Sequence, residues 1–268
     1  MCAMTTLTED LIILAVGLKP KAGPNTGVLP LHFRFGLRGA ELVTLTMAGR
    51  VSVRNGRIEV RDPAPLADPA LNHALSQLVA SGGAELRQWM VDLPPMYVTY
   101  HFERLRSAGA LSPVQVRLLL IAKRTGYLVV DQAYFRDVRM RLHAAVTSPG
   151  PADAAQAALA GLVYAAGLAR LAYPGAEGAV LRNRLEQLAG GNPVNDDPNR
   201  WAQFSDPAGG IGGAAIEAAV RSATEAAVHA VIASVTEAVH SASDASTHSH
   251  SHHSSGSGSS DSAPSHHH

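Results

Sequence analysis

Arginine carries most of the chemical capability of this 268-residue sequence. In RVSVRNGRIEVR, residues 50–61, an alternating pattern folded about Asn55-Gly56 puts Arg50, Arg54, Arg57 and Arg61 on one face with Ser52 and Glu59. Guanidinium forks bind phosphate and carboxylate groups bidentately, so four on one face suit an anion. The plainer alternative is a solvated face whose arginines lie over neighbouring apolar surface. A second concentration has a different character. Arg104, Arg106, Arg117, Lys123 and Arg124 surround the apolar run Leu118, Leu119, Leu120. Cations beside exposed leucines suit an anionic lipid surface, where a nearby basic residue adds about 1 kcal/mol and each buried leucine roughly 1.5–3 kcal/mol. A core hairpin with a polar turn, or the wing of a winged-helix nucleic-acid module, would use the same residues.

Other chemistry is thinly represented. No Gly-x-Ser-x-Gly, His-Glu-x-x-His or Walker loop occurs, and His32, His73, His101 and His143 are scattered, so no enzyme and no cofactor is expected. Cys2 is the one cysteine, which rules out an intramolecular disulfide or a cysteine zinc site and suits a reducing, cytoplasmic compartment. Gly210-Ile-Gly212-Gly-Ala-Ala215 has the glycines of a dinucleotide loop but follows AQFSDPA instead of a strand, so a nucleotide is not expected there. The seven histidines after residue 247 would hold a metal only weakly and unselectively.

Lys and Arg total 22, as do Asp and Glu, yet residues 1–150 hold 17 of the basic and 11 of the acidic residues. The cationic surplus therefore belongs to the half with the two arginine clusters. The apolar stretch 11–18 follows Glu9 and Asp10, not a basic segment, so it is not expected to be a signal peptide. The other long apolar run, 157–169, has 13 residues, mostly Ala and Gly, short of the about 20 a bilayer span needs.

Periodicity predicts the elements that position these residues. Thr6-x-x-Glu9 reads as a capping box opening a first helix; 20–30 reads as a loop; 34–48 reads as a helix with Leu37, Ala40, Leu45 and Ala48 at helical spacing, stopped by Gly49. Asn55-Gly56 predicts a two-residue hairpin turn pairing Val53 with Ile58 and Val51 with Val60. Asp68-Pro69 opens a helix over 69–79, followed by helices at 84–93 and 96–108. A second hairpin joins 114–122 to 127–130 through Lys123-Arg124-Thr125-Gly126. Helices follow at 133–147, 152–172, 176–189 and 214–240, the last with Ile216, Val220, Ala227, Val231, Val235 and Val239 on one face. Residues 241–268, rich in Ser and His, read as a disordered tail on a single domain spanning 1–240. The fold class predicted is mostly α, a compact helical bundle decorated with β-hairpins.

The order of TEDLIILAVGLK, FGLRGAELVTLTMAGRVSV, RDPAPLADPALNHAL and a helix ending RLRSAGAL before an apolar hairpin resembles the Golgi phosphoprotein 3 family, in its bacterial branch, over about 6–190. LRG at 37–39 and DPAPLADP at 62–69 are the most specific parts. What the resemblance implies is a non-enzymatic, peripheral binder of anionic phospholipid, phosphatidylinositol 4-phosphate in the family, whose apolar hairpin enters the bilayer and assists self-association, with no nucleic acid. In such a protein Arg38 occupies the headgroup-pocket position, joined by Arg104, Arg106, Arg117, Lys123 and Arg124, while Leu118, Leu119, Leu120 and Tyr127 form the membrane hairpin. The family's pocket tryptophan and two further arginines fall on Leu29, Pro95 and Val98. The protein would then lie at the inner face of a membrane; the alternative reading is a soluble scaffold or the winged-helix-like module.

Overall fold

The computed structural model describes residues 6–19, 29, 33–94, 96–118, 122–148, 153–189, 231–236 and 238. The loop expected at 20–30, apart from Leu29, the glycine segment 210–215, most of the helix expected at 214–240 and the tail at 241–268 lie outside the described residues.

Helix α1 (Leu7–Gly17) is apolar on nearly every side, and a helix of that composition must be buried all round. Leu11, Ile12, Ile13, Leu14 and Ala15 have no exposed surface. The helix opens with the expected capping box: the Glu9 N–H donates to the Thr6 hydroxyl at 3.3 Å and the Thr6 N–H donates to Glu9 Oε2 at 3.2 Å. Around α1 pack α2 (Phe33–Met47), α5 (Tyr97–Ser107), α6 (Gln132–Thr147) and α7 (Ala154–Ala165). Asp10 of α1 carries a charge, and it is buried. Arg141 of α6 meets it with two parallel bonds, Nη1 to Oδ2 at 2.7 Å and Nη2 to Oδ1 at 2.9 Å, and the Tyr134 hydroxyl donates to Oδ1 at 3.0 Å. A paired, hydrogen-bonded carboxylate is the form in which such a charge survives burial.

The last described helical segment, 231–236, closes the bundle against α2 and α7. Val231, Ile232 and Val235 are buried, in keeping with the face expected to hold Val231 and Val235. Two glycines make room for it: a Cβ at Gly39 would overlap Val235 Cγ2, and one at Gly161 would lie 2.6 Å from Ile232 Cδ1.

The first hairpin has the expected register. Strands β1 (Val51–Arg54) and β2 (Arg57–Val60) pair Val51 with Val60, Ser52 with Glu59, Val53 with Ile58 and Arg54 with Arg57. Asn55 and Gly56 sit at φ 49° and 72°, the left-handed conformation that a tight two-residue turn requires. The helix expected over 84–93 starts later. Ala84 and Glu85 form β3 (Ala84–Glu85), which pairs with Ile58 and Arg57 as a third strand. The Glu85 side chain then accepts from the Gln88 N–H to cap the short α4 (Leu86–Val91). Ahead of these, α3 (Pro69–Ala80) is capped by Asp68, as expected.

The second hairpin differs from expectation at its bend. Strands β4 (Leu111–Leu118) and β5 (Ala122–Val129) pair Leu111 with Val129, Val114 with Gly126, Val116 with Arg124, Arg117 with Lys123 and Leu118 with Ala122. Lys123-Arg124-Thr125-Gly126 is therefore strand, and the residues joining the strands are Leu119, Leu120 and Ile121. Turn chemistry pointed to the glycine, but Gly126 is held in the ladder by pairing that begins at the buried Leu111. The base of the hairpin is anchored where the Phe102 and Tyr127 rings stack 4.5 Å apart.

The single helix expected at 152–172 is two. Helix α7 ends where Gly167 adopts φ 72° and the Leu168 N–H reaches back to the Val163 carbonyl at 2.9 Å, a glycine C-terminal cap. The short α8 (Ala169–Ala172) and then α9 (Ala179–Leu188) follow. The architecture is thus a mostly helical bundle with small antiparallel hairpins, the predicted class. No described helix is long and apolar enough to cross a membrane.

Two substitutions test these contacts by urea unfolding. Arg141→Ala leaves Asp10 buried without its partner and is expected to cost about 3–5 kcal/mol, whereas replacing Asp10 and Arg141 together by leucine is expected to cost less. Gly39→Ala is expected to destabilise by forcing the 231–236 segment outward, and Val235→Ala in the same chain is expected to restore part of the loss.

Candidate functional site

Helix α2 carries FRFGLRGAELV, and its second and third turns bring Arg38 and Glu41 to one side at a spacing of three residues, where helical neighbours meet. That side faces a cavity of about 370 Å³ between α2, α3 and the start of α5. Arg38 and Glu41 form its floor together with His101 of α5, all three buried. Arg38 Nη1 donates to Glu41 Oε2 at 3.2 Å, and its Nε donates to the Trp89 carbonyl at 3.4 Å. The guanidinium carbon lies 3.5 Å from the centre of the Trp89 ring, a cation–π contact. The guanidinium is thus covered on one face and bonded along its edge.

Helix α5 supplies the opposite wall. Tyr97 and His101 are one turn apart, with ring centres at 4.9 Å in an edge-to-face arrangement, and Tyr100 contacts the same imidazole at 5.4 Å. His101 Nε2 is 3.2 Å from Glu41 Oε1 but is not aligned for a hydrogen bond. The Tyr97 hydroxyl is buried beside Glu41 and Arg38. Burial, reinforced by the Glu41 charge, pushes that phenol well above its ordinary value, so it stays protonated. The mouth is formed by the exposed Met96, Tyr100 and His73 and by the half-buried Gln77, whose amide meets the His73 ring at 3.1 Å.

The residues singled out from sequence are distributed as follows. Arg38 lines the cavity. Arg104 does not; it is clasped by Asp68 and by Glu9, the latter at 2.9 Å, and ties the start of α3 to α5 and α1. Arg106 is exposed and pairs with Glu103 at 2.6 Å. Arg117, Leu118, Lys123 and Arg124 occupy the far end of the β4–β5 ladder, where only their backbone is described, and Leu119 and Leu120 lie outside the described residues. Tyr127 is half-buried on Phe102 at the hairpin base. In the first hairpin, Arg50 pairs with Asp62, Arg61 with Glu59 at 3.1 Å, and Arg54 and Arg57 flank the turn.

Leu29 and Val98 pack half-buried against the core, and Pro95 lies outside the described residues. An indole does reach Arg38, but it comes from Trp89 in α4. Sequence reasoning missed Trp89, Glu41, Tyr97 and His101. The signals available were the Arg38-x-x-Glu41 spacing and the aromatic cluster Tyr97, Tyr100, His101 on one helix. Among the described residues no group of three or more His, Cys, Asp or Glu is placed to hold a metal ion.

The clasp on Arg104 makes a pH prediction. Burial works to raise the Asp68 carboxyl, but the Arg104 guanidinium and the Leu71 and Ala70 N–H groups hold it below its ordinary value. A carboxyl lowered in the native state lends stability that is complete above its unfolded value of about 3.9 and is lost as pH falls through the lower native value. Thermal unfolding followed from pH 6 to pH 2 is expected to show this loss, and Asp68→Asn is expected to flatten the profile at its acid end.

A family model described as Golgi phosphoprotein 3 (GPP34) matches residues 7–227 of the chain. No curated protein matches it.

Proposed function

This chain belongs to the Golgi phosphoprotein 3 family, and we propose that it acts as a non-enzymatic protein that binds the surface of anionic phospholipid membranes peripherally. The observation that carries this reading is the register of the second hairpin. Because β4 ends at Leu118 and β5 begins at Ala122, the residues between the two strands in sequence are Leu119, Leu120 and Ile121, flanked in sequence by Arg117, Lys123 and Arg124. An apolar bend enters the acyl boundary while Arg117, Lys123 and Arg124 remain at the level of the phosphates, and stable attachment takes both signals together. Arg38, Arg104 and Arg106 contribute less to the attraction, since each is already paired with a carboxylate. The resemblance to the family as a whole adds phosphatidylinositol 4-phosphate as the headgroup, self-association through the same hairpin, and a place on the cytoplasmic face.

Liposome flotation tests this. Vesicles with anionic lipid are expected to carry the protein upward at low salt and to lose it at high salt or after Leu119→Asp with Leu120→Asp. Equal flotation of that variant, or equal binding to uncharged phosphatidylcholine vesicles, overturns the reading. A preference for phosphatidylinositol 4-phosphate over charge-matched phosphatidylserine supports the headgroup assignment, and equal binding removes it.

A further inference from the structure

We propose that His101 couples the binding of a phosphate monoester at Arg38 to the uptake of one proton, so that acidification strengthens that contact. The coupling regulates the headgroup contact of the proposed membrane reading and rests on that reading for the source of its phosphate. Three buried side chains set it up. Glu41 divides its carboxylate: Oε2 accepts from Arg38 Nη1 at 3.2 Å, and Oε1 faces His101 Nε2 at the same distance from another helix. With a neutral imidazole the three groups sum to zero charge. An anion that takes Arg38 then strands Glu41 without a counter-charge in a buried site, which is a costly state.

A protonated imidazole removes that obstacle. Nε2 already stands beside Oε1, so a proton taken from solvent makes His101 the counter-charge of Glu41 and releases the Arg38 guanidinium to a phosphate. Imidazole is the side chain whose charge ordinarily changes between about pH 5 and 8. The groups around it act in different directions. Glu41 of α2 favours the charged form; Arg38 opposes it, and that opposition falls once an anion engages the guanidinium. Tyr97 and Tyr100 of α5 present their rings to the imidazole, and the Tyr97 phenol keeps its own proton. His73 of α3, exposed at the mouth, adds charge of the same sign when protonated. By linkage, proton and phosphate raise each other's affinity by the same factor. Fixed arginines alone give the opposite trend, because a phosphate monoester gains charge as pH rises through its second ionisation near about 6.

Isothermal titration calorimetry of the full chain with inositol 4-phosphate, in two buffers of different ionisation enthalpy at pH 7.5, counts the protons. Net uptake of at most about one proton per bound phosphate is expected, with affinity rising up to about tenfold for each unit fall in pH. His101→Gln is expected to abolish the uptake and the rise. Glu41→Gln, which removes the charge that would be stranded, is expected to bind more tightly than the wild type at pH 7.5 and without uptake. No binding by the wild type, binding without uptake, or equal uptake in His101→Gln overturns the proposal. Two further arms identify the source of the phosphate. Flotation on phosphatidylinositol 4-phosphate vesicles that strengthens from pH 7.5 to pH 5.5 in the wild type, and not in His101→Gln, supports coupling at the membrane. Inorganic phosphate that binds as tightly and with the same uptake supports coupling to free phosphate instead. Absence of flotation at every pH refutes the membrane reading alone, since the calorimetry decides the coupling independently.

Discussion

A buried carboxylate in the first turn of a helix that is apolar on nearly every side admits few arrangements of the chain around it. Asp10 is that carboxylate, and α6 answers it twice, through Arg141 and through Tyr134. Asp131 caps α6 by accepting from the Tyr134 N–H at 2.8 Å, so one residue both begins the helix and binds it to α1. Since α6 follows β5 directly, seating α6 also seats the base of the second hairpin, whose strand β5 contacts α1. Buried ion pairs add little net stability against an apolar alternative. The effect of this one is geometrical, since it sets how α6 is rotated against the central helix.

The same device recurs at three further arginines. Arg38 is met by Glu41, Arg104 by Asp68 and Glu9, and Arg50 by Asp62. The cationic surplus of residues 1–150 is therefore a poor map of the molecule's cationic surface. Several arginines that looked available for an outside anion are engaged with carboxylates, some close in sequence, as Glu41 is to Arg38 and Glu103 to Arg106, and some distant, as Glu9 and Asp68 are from Arg104. What the resemblance implies for Arg38 changes accordingly: a positive charge at that position, bonded to Glu41 and stacked on Trp89, leaves the cavity without net charge from the pair.

Local patterns were legible. Thr6 and Glu9, Asp68 and Pro69, and Asn55-Gly56 each act within four residues, so composition and spacing determine them. Failures came where tertiary pairing overrode local preference. Gly126 looked like a turn and is held in the ladder opposite Val114, and Ala84-Glu85 looked helical and is drawn into pairing with β2. Within the site, Arg38 was legible because it sits in a distinctive tripeptide. Trp89, Tyr97 and His101 were not, since they converge on it from α4 and α5, 51 to 63 residues away, and no spacing rule registers such convergence.

Leu37, Arg38 and Gly39 are consecutive in α2, so they project in three directions about its axis. Leu37 enters the core, Arg38 reaches the cavity, and Gly39 receives Val235 from the far end of the chain. Rotating α2 by even part of a turn would take all three out of register at once. The orientation of α2 is therefore fixed by three different surroundings at once: the core, the cavity and the 231–236 segment.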